Sequence, residues 1–169
     1  MALFLAENGC DIIILEMMYH PDRMLSVFEA AAKSKKPVWA GFSTRLSDTG
    51  LVLSFMEEDD IPFESVAKIV KDFNIDVAGI MHTDVNAVSE SLKVLRNFFD
   101  GPLMVYPDSG GWVSPNWDFN KVIQPKQLKS FAEKWIKEGV NIIGGCCGLS
   151  PNHISCLLYT SPSPRDWLQ

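Results

Sequence analysis

Gly144-Gly145-Cys146-Cys147-Gly148 follows directly on the apolar run Val140-Asn141-Ile142-Ile143. Adjacent cysteines put two soft sulfur ligands in one tight turn, and the flanking glycines allow backbone conformations that a side chain forbids. The preceding run is short and rich in β-branched residues, the pattern of a buried strand. Thiols at the carboxyl end of such a strand suit a zinc site. A buried structural pair and a redox-active pair are the alternatives. A disulfide between the two neighbours is disfavoured, because the bridge needs Cα atoms about 4.4 to 6.8 Å apart and a near-perpendicular torsion.

The rest of the chain alternates strand and helix patterns. Strands are expected at 11–16, 37–43, 76–81, 102–106 and 140–144. Helices are expected at 21–35, 63–73, 85–99 and 125–138, each with apolar residues at three- and four-residue spacing. Between 45 and 60 the pattern reads as loop with a short extended piece at 51–55, and 107–123 reads as a loop rich in glycine, proline and tryptophan. Strands buried on both faces and joined by helices make a parallel sheet. That pattern alone leaves a doubly wound sheet and a (β/α)8 barrel both open. The polar residues favour the barrel. Glu16, Ser43, His82, Tyr106 with Asp108, and the cysteine pair all fall at or just beyond strand ends. A barrel gathers such positions at one mouth; an open sheet spreads them at about 4.8 Å per strand.

Composition narrows the function class. The 169 residues suit one domain, and 47% hydrophobic with 21% charged residues is ordinary for a globular protein. A net charge of −6 with scattered lysines gives no footing for nucleic acid. No apolar stretch reaches the roughly 18 to 20 residues of a membrane span. The first residues lack the basic segment of a signal peptide, so a cytoplasmic location is the expectation. The four cysteines, at 10, 146, 147 and 156, do not form a disulfide framework and fit a reducing compartment.

The GGCCG string, followed by Leu149-Ser150-Pro151-Asn152-His153-Ile154, resembles the last strand and loop of the homocysteine S-methyltransferase family. Two further stretches are similar to motifs of that family. Ile13-Ile14-Leu15-Glu16-Met17 resembles its strand-four run ending in glutamate, and Tyr106-Pro107-Asp108-Ser109-Gly110 its strand-seven Tyr-Pro-Asn motif. The resemblance implies a partial (β/α)8 TIM barrel, with residues 1–155 covering about strands four to eight and the first three strands missing from this chain. It implies further that Met1 is internal or the sequence truncated. The segment 156–169, rich in serine and proline, resembles translated adaptor sequence or a disordered tail and is set apart.

The resemblance also implies the chemistry. Zinc, held by three protein ligands with a fourth position open, binds and ionises the thiol of homocysteine, whose ordinary pKa is near that of cysteine, about 8.5. That thiol takes a methyl group, giving methionine, from an onium donor such as S-methylmethionine or betaine, or from methylfolate. The implied metal ligands are Cys146, Cys147 and His82. The last stands where the family has a third cysteine, and so the set carries one less negative charge. Glu16 is implied to bind the amino acid, Tyr106 to line the pocket, and Asp108, in place of an asparagine, to alter amino-group or donor recognition. No catalytic residue is implied beyond the zinc site.

Other residues have plainer readings. Trp112 and Trp117 either cover the substrate or pack their loop down; His153 shapes a turn or caps a helix; His20 belongs to a loop. The rival functions are an inactive zinc-binding fragment and a thiol redox or metal-handling protein using Cys146-Cys147.

Overall fold

A computed structural model describes residues 1–55, 59–113 and 115–158. In chain order the elements are α1 (Ala2–Glu7), β1 (Ile13–Met18), α2 (Pro21–Ala32), β2 (Val38–Phe42), β3 (Thr44–Leu46), β4 (Val52–Ser54) and α3 (Phe63–Ala67). Then come β5 (Val77–Asp84), α4 (Val88–Arg96), β6 (Leu103–Asp108), β7 (Gly111–Val113), β8 (Asn116–Asp118), α5 (Pro125–Lys137), β9 (Val140–Ile143) and α6 (Pro151–Leu157). Of the segment 156–169, Cys156 and Leu157 belong to α6, and 159–169 lie outside the described residues.

Five strands form one parallel sheet in the order β1-β2-β5-β6-β9. That order is the chain order. A doubly wound sheet reverses direction part-way; among the described residues no reversal occurs. Each crossover returns through a helix, as parallel pairing requires.

Register assigns the two faces. Leu15, Ala40, Ala78 and Leu103 align across four strands, as do Phe42, Ile80 and Val105 across three. These rows meet the helices: Phe28 of α2, Phe63 of α3, Leu95 of α4 and Trp135 of α5 join them in one buried core. Burying an aliphatic or Phe side chain of this kind contributes roughly 1.5 to 3 kcal/mol. The alternate rows, including Gly41, Gly79 and Met104, then Met81 and Tyr106, take the opposite face. On that face Ile14 and Glu16 of β1 are exposed.

The elements depart from the expected ones in instructive ways. The first strand runs from Ile13 to Met18, two residues later at each end than expected, and a bulge between Leu15 and Met18 lies in its added end. The third main strand runs past His82 to Asp84 in the same way. The helix expected at 63–73 splits into α3 and a 3-10 turn at Lys68–Lys71. The extended piece near 51–55 is real and pairs with Thr44–Leu46 as a hairpin. The loop after β6 holds a second hairpin, β7-β8, in which Trp112 pairs with Trp117. The side chains of those two tryptophans lie outside what is described. No helix among the described residues is long and apolar enough to cross a membrane.

Candidate metal centre

His82 owes its position to a distortion of β5. Its φ is +42°, in the left-handed region, and the β5-β6 register slips between Met81 and Asp84. A bulge at a strand end re-aims a side chain, and left-handed φ costs energy for any residue but glycine. Met17 does the same on β1, with φ +58° inside the Leu15–Met18 irregularity. The Phe55 ring packs edge-on against the His82 ring at 5.2 Å between centroids.

The cysteine pair is placed by β6. Gly144 N donates to Val105 O (2.8 Å), Cys146 N to Pro107 O (2.8 Å), and Ser109 N to Cys147 O (2.9 Å). The parallel ladder therefore continues past β9 into the loop, and both thiols face His82. His82 Nδ1 lies 3.7 Å from Cys146 Sγ and 3.7 Å from Cys147 Sγ, and the sulfurs are 3.9 Å apart. Among the described residues these three form a cluster whose ligand atoms lie within 4.8 Å of one another.

That triangle fits a tetrahedral ion. Sulfur at about 2.3 Å and nitrogen at about 2.0 to 2.1 Å from zinc set edges of roughly 3.8 Å between sulfurs and 3.6 Å between sulfur and nitrogen. By itself the pocket does not ionise the thiol. Burial pushes Cys146 up to about 11; a hydrogen bond from the Cys147 backbone opposes this, while the Cys147 thiol and Asp108 add to it. A redox or nucleophilic cysteine needs the opposite shift; a bound cation would reverse this one.

The other expected residues are arranged around this centre. Asp108, at the end of β6, puts Oδ2 3.6 Å from His82 Nδ1. Burial holds its carboxyl above the usual aspartate range, and the His82 charge partly offsets that. Tyr106, two residues earlier, shares the face opposite the helices. Its phenol is held well above the usual range, first by burial, then by the negative charges of Glu16 and Cys146. Glu16 is close enough to act on the phenol both through its charge and as a hydrogen-bond acceptor beyond ordinary distance; within that distance the buried Tyr106 hydroxyl meets no partner among the described residues. Glu16 itself is exposed.

Sequence reasoning missed the walls of the adjoining cavity. A cavity of about 910 Å³ opens beside His82 and Asp108 and is also lined by Thr44, Arg45, Phe55 and Asp84. Asp84 carried a signal, being a carboxylate two residues beyond His82. Arg45 carried none, because only the second strand of the β3-β4 hairpin shows in the sequence, as the extended piece at 51–55 that ends in Phe55.

The family model for homocysteine S-methyltransferase matches residues 1–158. The chain belongs to the homocysteine S-methyltransferase family. Among relatives, it is similar to the selenocysteine methyltransferase of Astragalus bisulcatus, at 24% identity over 157 residues, 89% of this chain and 44% of that protein. It is similar to the homocysteine S-methyltransferase of Escherichia coli (strain K12) at 27% over 158 residues, 90% of this chain and 48% of that one. The metallated form of the homocysteine methyltransferase MmuM from Escherichia coli shares the fold, with TM-score 0.69 and 23% identity over 93% of this chain and 47% of that chain. This member of the family thus spans about half the length of the relatives it matches.

Proposed function

We propose that this chain carries the metal- and acceptor-binding part of a zinc-dependent homocysteine S-methyltransferase, built as strands four to eight of a (β/α)8 barrel. Supporting the barrel, among the described residues, are the unreversed strand order and the packing of α2, α3, α4 and α5 on one sheet face. The single observation that carries the function is the Cys146–Cys147–His82 triangle at tetrahedral spacing. Thiol ligands of this kind suit a reducing compartment, and a cytoplasmic location is part of the reading.

Cys146, Cys147 and His82 would hold the zinc, which would supply the positive charge that favours the ionised form of a homocysteine thiol at neutral pH. The chain's own residues do the rest. Glu16, exposed on the face opposite the helices, attracts the ammonium group of the amino acid. Tyr106 offers its unpartnered hydroxyl to a polar group of the acceptor beside Glu16. A buried donor left alone is costly, so the ligand that completes it is favoured. Holding acceptor and donor in line is what such a site contributes to rate.

The cavity speaks to the donor. Two carboxylates, Asp84 and Asp108, and the Phe55 ring line it, and its cation Arg45 is paired with Asp60 at 2.6 Å. That lining suits a sulfonium or quaternary ammonium donor over an anionic methylfolate. The acceptor is homocysteine and the product methionine.

Elemental analysis of the purified chain tests the metal. About one zinc per chain, lost in His82→Ala and Cys147→Ala, supports the reading; none in the folded wild-type chain overturns it. Methyl transfer to homocysteine from S-methylmethionine or betaine, compared with methylfolate, tests the donor.

A further inference from the structure

His153 is buried, and both of its ring nitrogens are engaged. Nδ1 accepts from Ser150 N at 3.1 Å and from Ser150 Oγ at 2.9 Å, closing the N-terminal cap of α6. Nε2 donates to Ile123 O at 2.7 Å. A carbonyl only accepts and a backbone N–H only donates, so these partners require a neutral ring with its proton on Nε2. The capping needs only the first contact. The second reaches thirty residues back, into the loop that follows the β7-β8 hairpin.

From Ile123 the connection returns to the thiols. Ile123 N donates to Ser109 Oγ at 2.9 Å, and Ser109 N donates to Cys147 O at 2.9 Å. Ser109 is 2% exposed. Gly148, at φ +77°, closes against the same residue: a Cβ there would stand 1.8 Å from Ser109 O. Running through Cys147, Gly148, Leu149, Ser150, His153, Ile123 and Ser109, the chain forms a closed circuit behind the two sulfurs.

We propose that His153, acting through Ile123 and Ser109, is a positioning residue that holds the Cys146–Cys147 loop in metal-binding geometry. This rests on the zinc reading for its function, while the clamp itself is a property of the protein alone. The described hydrogen bonds of His153 go to Ser150 and Ile123, not to a metal-ligand side chain. His153 sets the orientation of the peptide that carries Cys147, in the way outer hydrogen bonds orient metal ligands generally.

Three variants of the chain separate clamp from cap. His153→Ala removes both contacts. His153→Gln retains the cap, because glutamine is a normal capping-box residue at this position, but cannot also span to Ile123 O. Ser109→Ala cuts the circuit on its other side. Zinc affinity is read by competition with a chelator, and the Cys146 and Ser109 amides are read by hydrogen exchange in the metal-free chain.

All three variants are expected to lose about tenfold or more in zinc affinity and to speed exchange at both amides, with His153→Gln keeping its unfolding temperature near that of the wild type. Ser109→Ala combined with His153→Gln should lose little more than either alone, since both act through Ile123. Unchanged zinc affinity in folded variants, with faster exchange confined to α6, overturns the proposal and leaves His153 a helix cap. If the wild-type chain takes up no zinc, the metal reading fails, and the exchange data alone decide the clamp: acceleration at Ser109 and Cys146 supports it, and no change overturns it.

Discussion

The phenol of Tyr106 ends against the backbone of Gly41, where an added Cβ would stand 2.6 Å from the tyrosine hydroxyl oxygen. The two residues belong to β6 and β2, with β5 between them. The tyrosine therefore reaches across the sheet toward β1 and Glu16, and only glycine leaves it room. Gly41→Ala would also bring Cβ within 2.8 Å of Met81 Cγ. We expect this variant to lose about 1 to 3 kcal/mol of stability, the usual cost of overpacking, read from denaturant midpoints. Homocysteine binding should weaken with it, whereas Tyr106→Phe, which removes only the hydroxyl, should weaken binding with little loss of stability.

Zinc binding should be linked to folding. A ligand that binds only the native state at a hundredfold excess over its Kd stabilises by about 2.7 kcal/mol. Added zinc should raise the unfolding midpoint of the wild-type chain, and His82→Ala and Cys146→Ala should abolish the rise. A midpoint in either variant that still follows zinc concentration would remove that residue from the ligand set.

The raised Cys146 thiol predicts two pH effects. In the metal-free chain the folded value, about 11, lies above the ordinary 9.0. The folded state then holds its proton more tightly than the unfolded one. Its contribution to stability is present below about pH 9 and is lost as pH rises through about 11. Ultraviolet thiolate absorbance should show one cysteine ionising late. Zinc added near pH 8 should displace about two protons, one from each thiol, measured by titration in weak buffer.

Asp108→Asn should leave zinc stoichiometry intact and weaken cationic ligands. The carboxylate faces the cavity and stands 3.6 Å from His82 Nδ1. Calorimetry with a sulfonium or quaternary ammonium compound should show a loss of about tenfold, equivalent to about 1.4 kcal/mol. An unchanged affinity would move donor recognition away from this residue.

Much of this architecture was legible because it is written in local pattern. Apolar residues at helical spacing along α2, α4 and α5, and the uninterrupted apolar run at β2, show themselves within a few residues of chain; the run at β9 is broken by an exposed Asn141, and only Val140 of that strand is buried, short of the buried strand expected there. What hid from the pattern were the bulges at Met17 and His82, the Thr44–Leu46 partner of the extended piece near 51–55, and the hairpin at 111–118. Strands of three residues carry too little periodicity to register, and a bulge is a response to the neighbouring strand.

By itself, the sequence determined the parallel strand-helix alternation, the adjacency of Cys146 and Cys147, and the placement of Glu16, His82, Tyr106 and Asp108 at strand ends, since each depends on residues close in the chain. Only the tertiary structure decided that His82 Nδ1 meets both sulfurs across more than sixty residues, that Gly41 makes room for Tyr106, and that His153 reaches back to Ile123. Those contacts depend on strand order and register. Such choices are made by packing the whole chain at once, and no short window of sequence contains them.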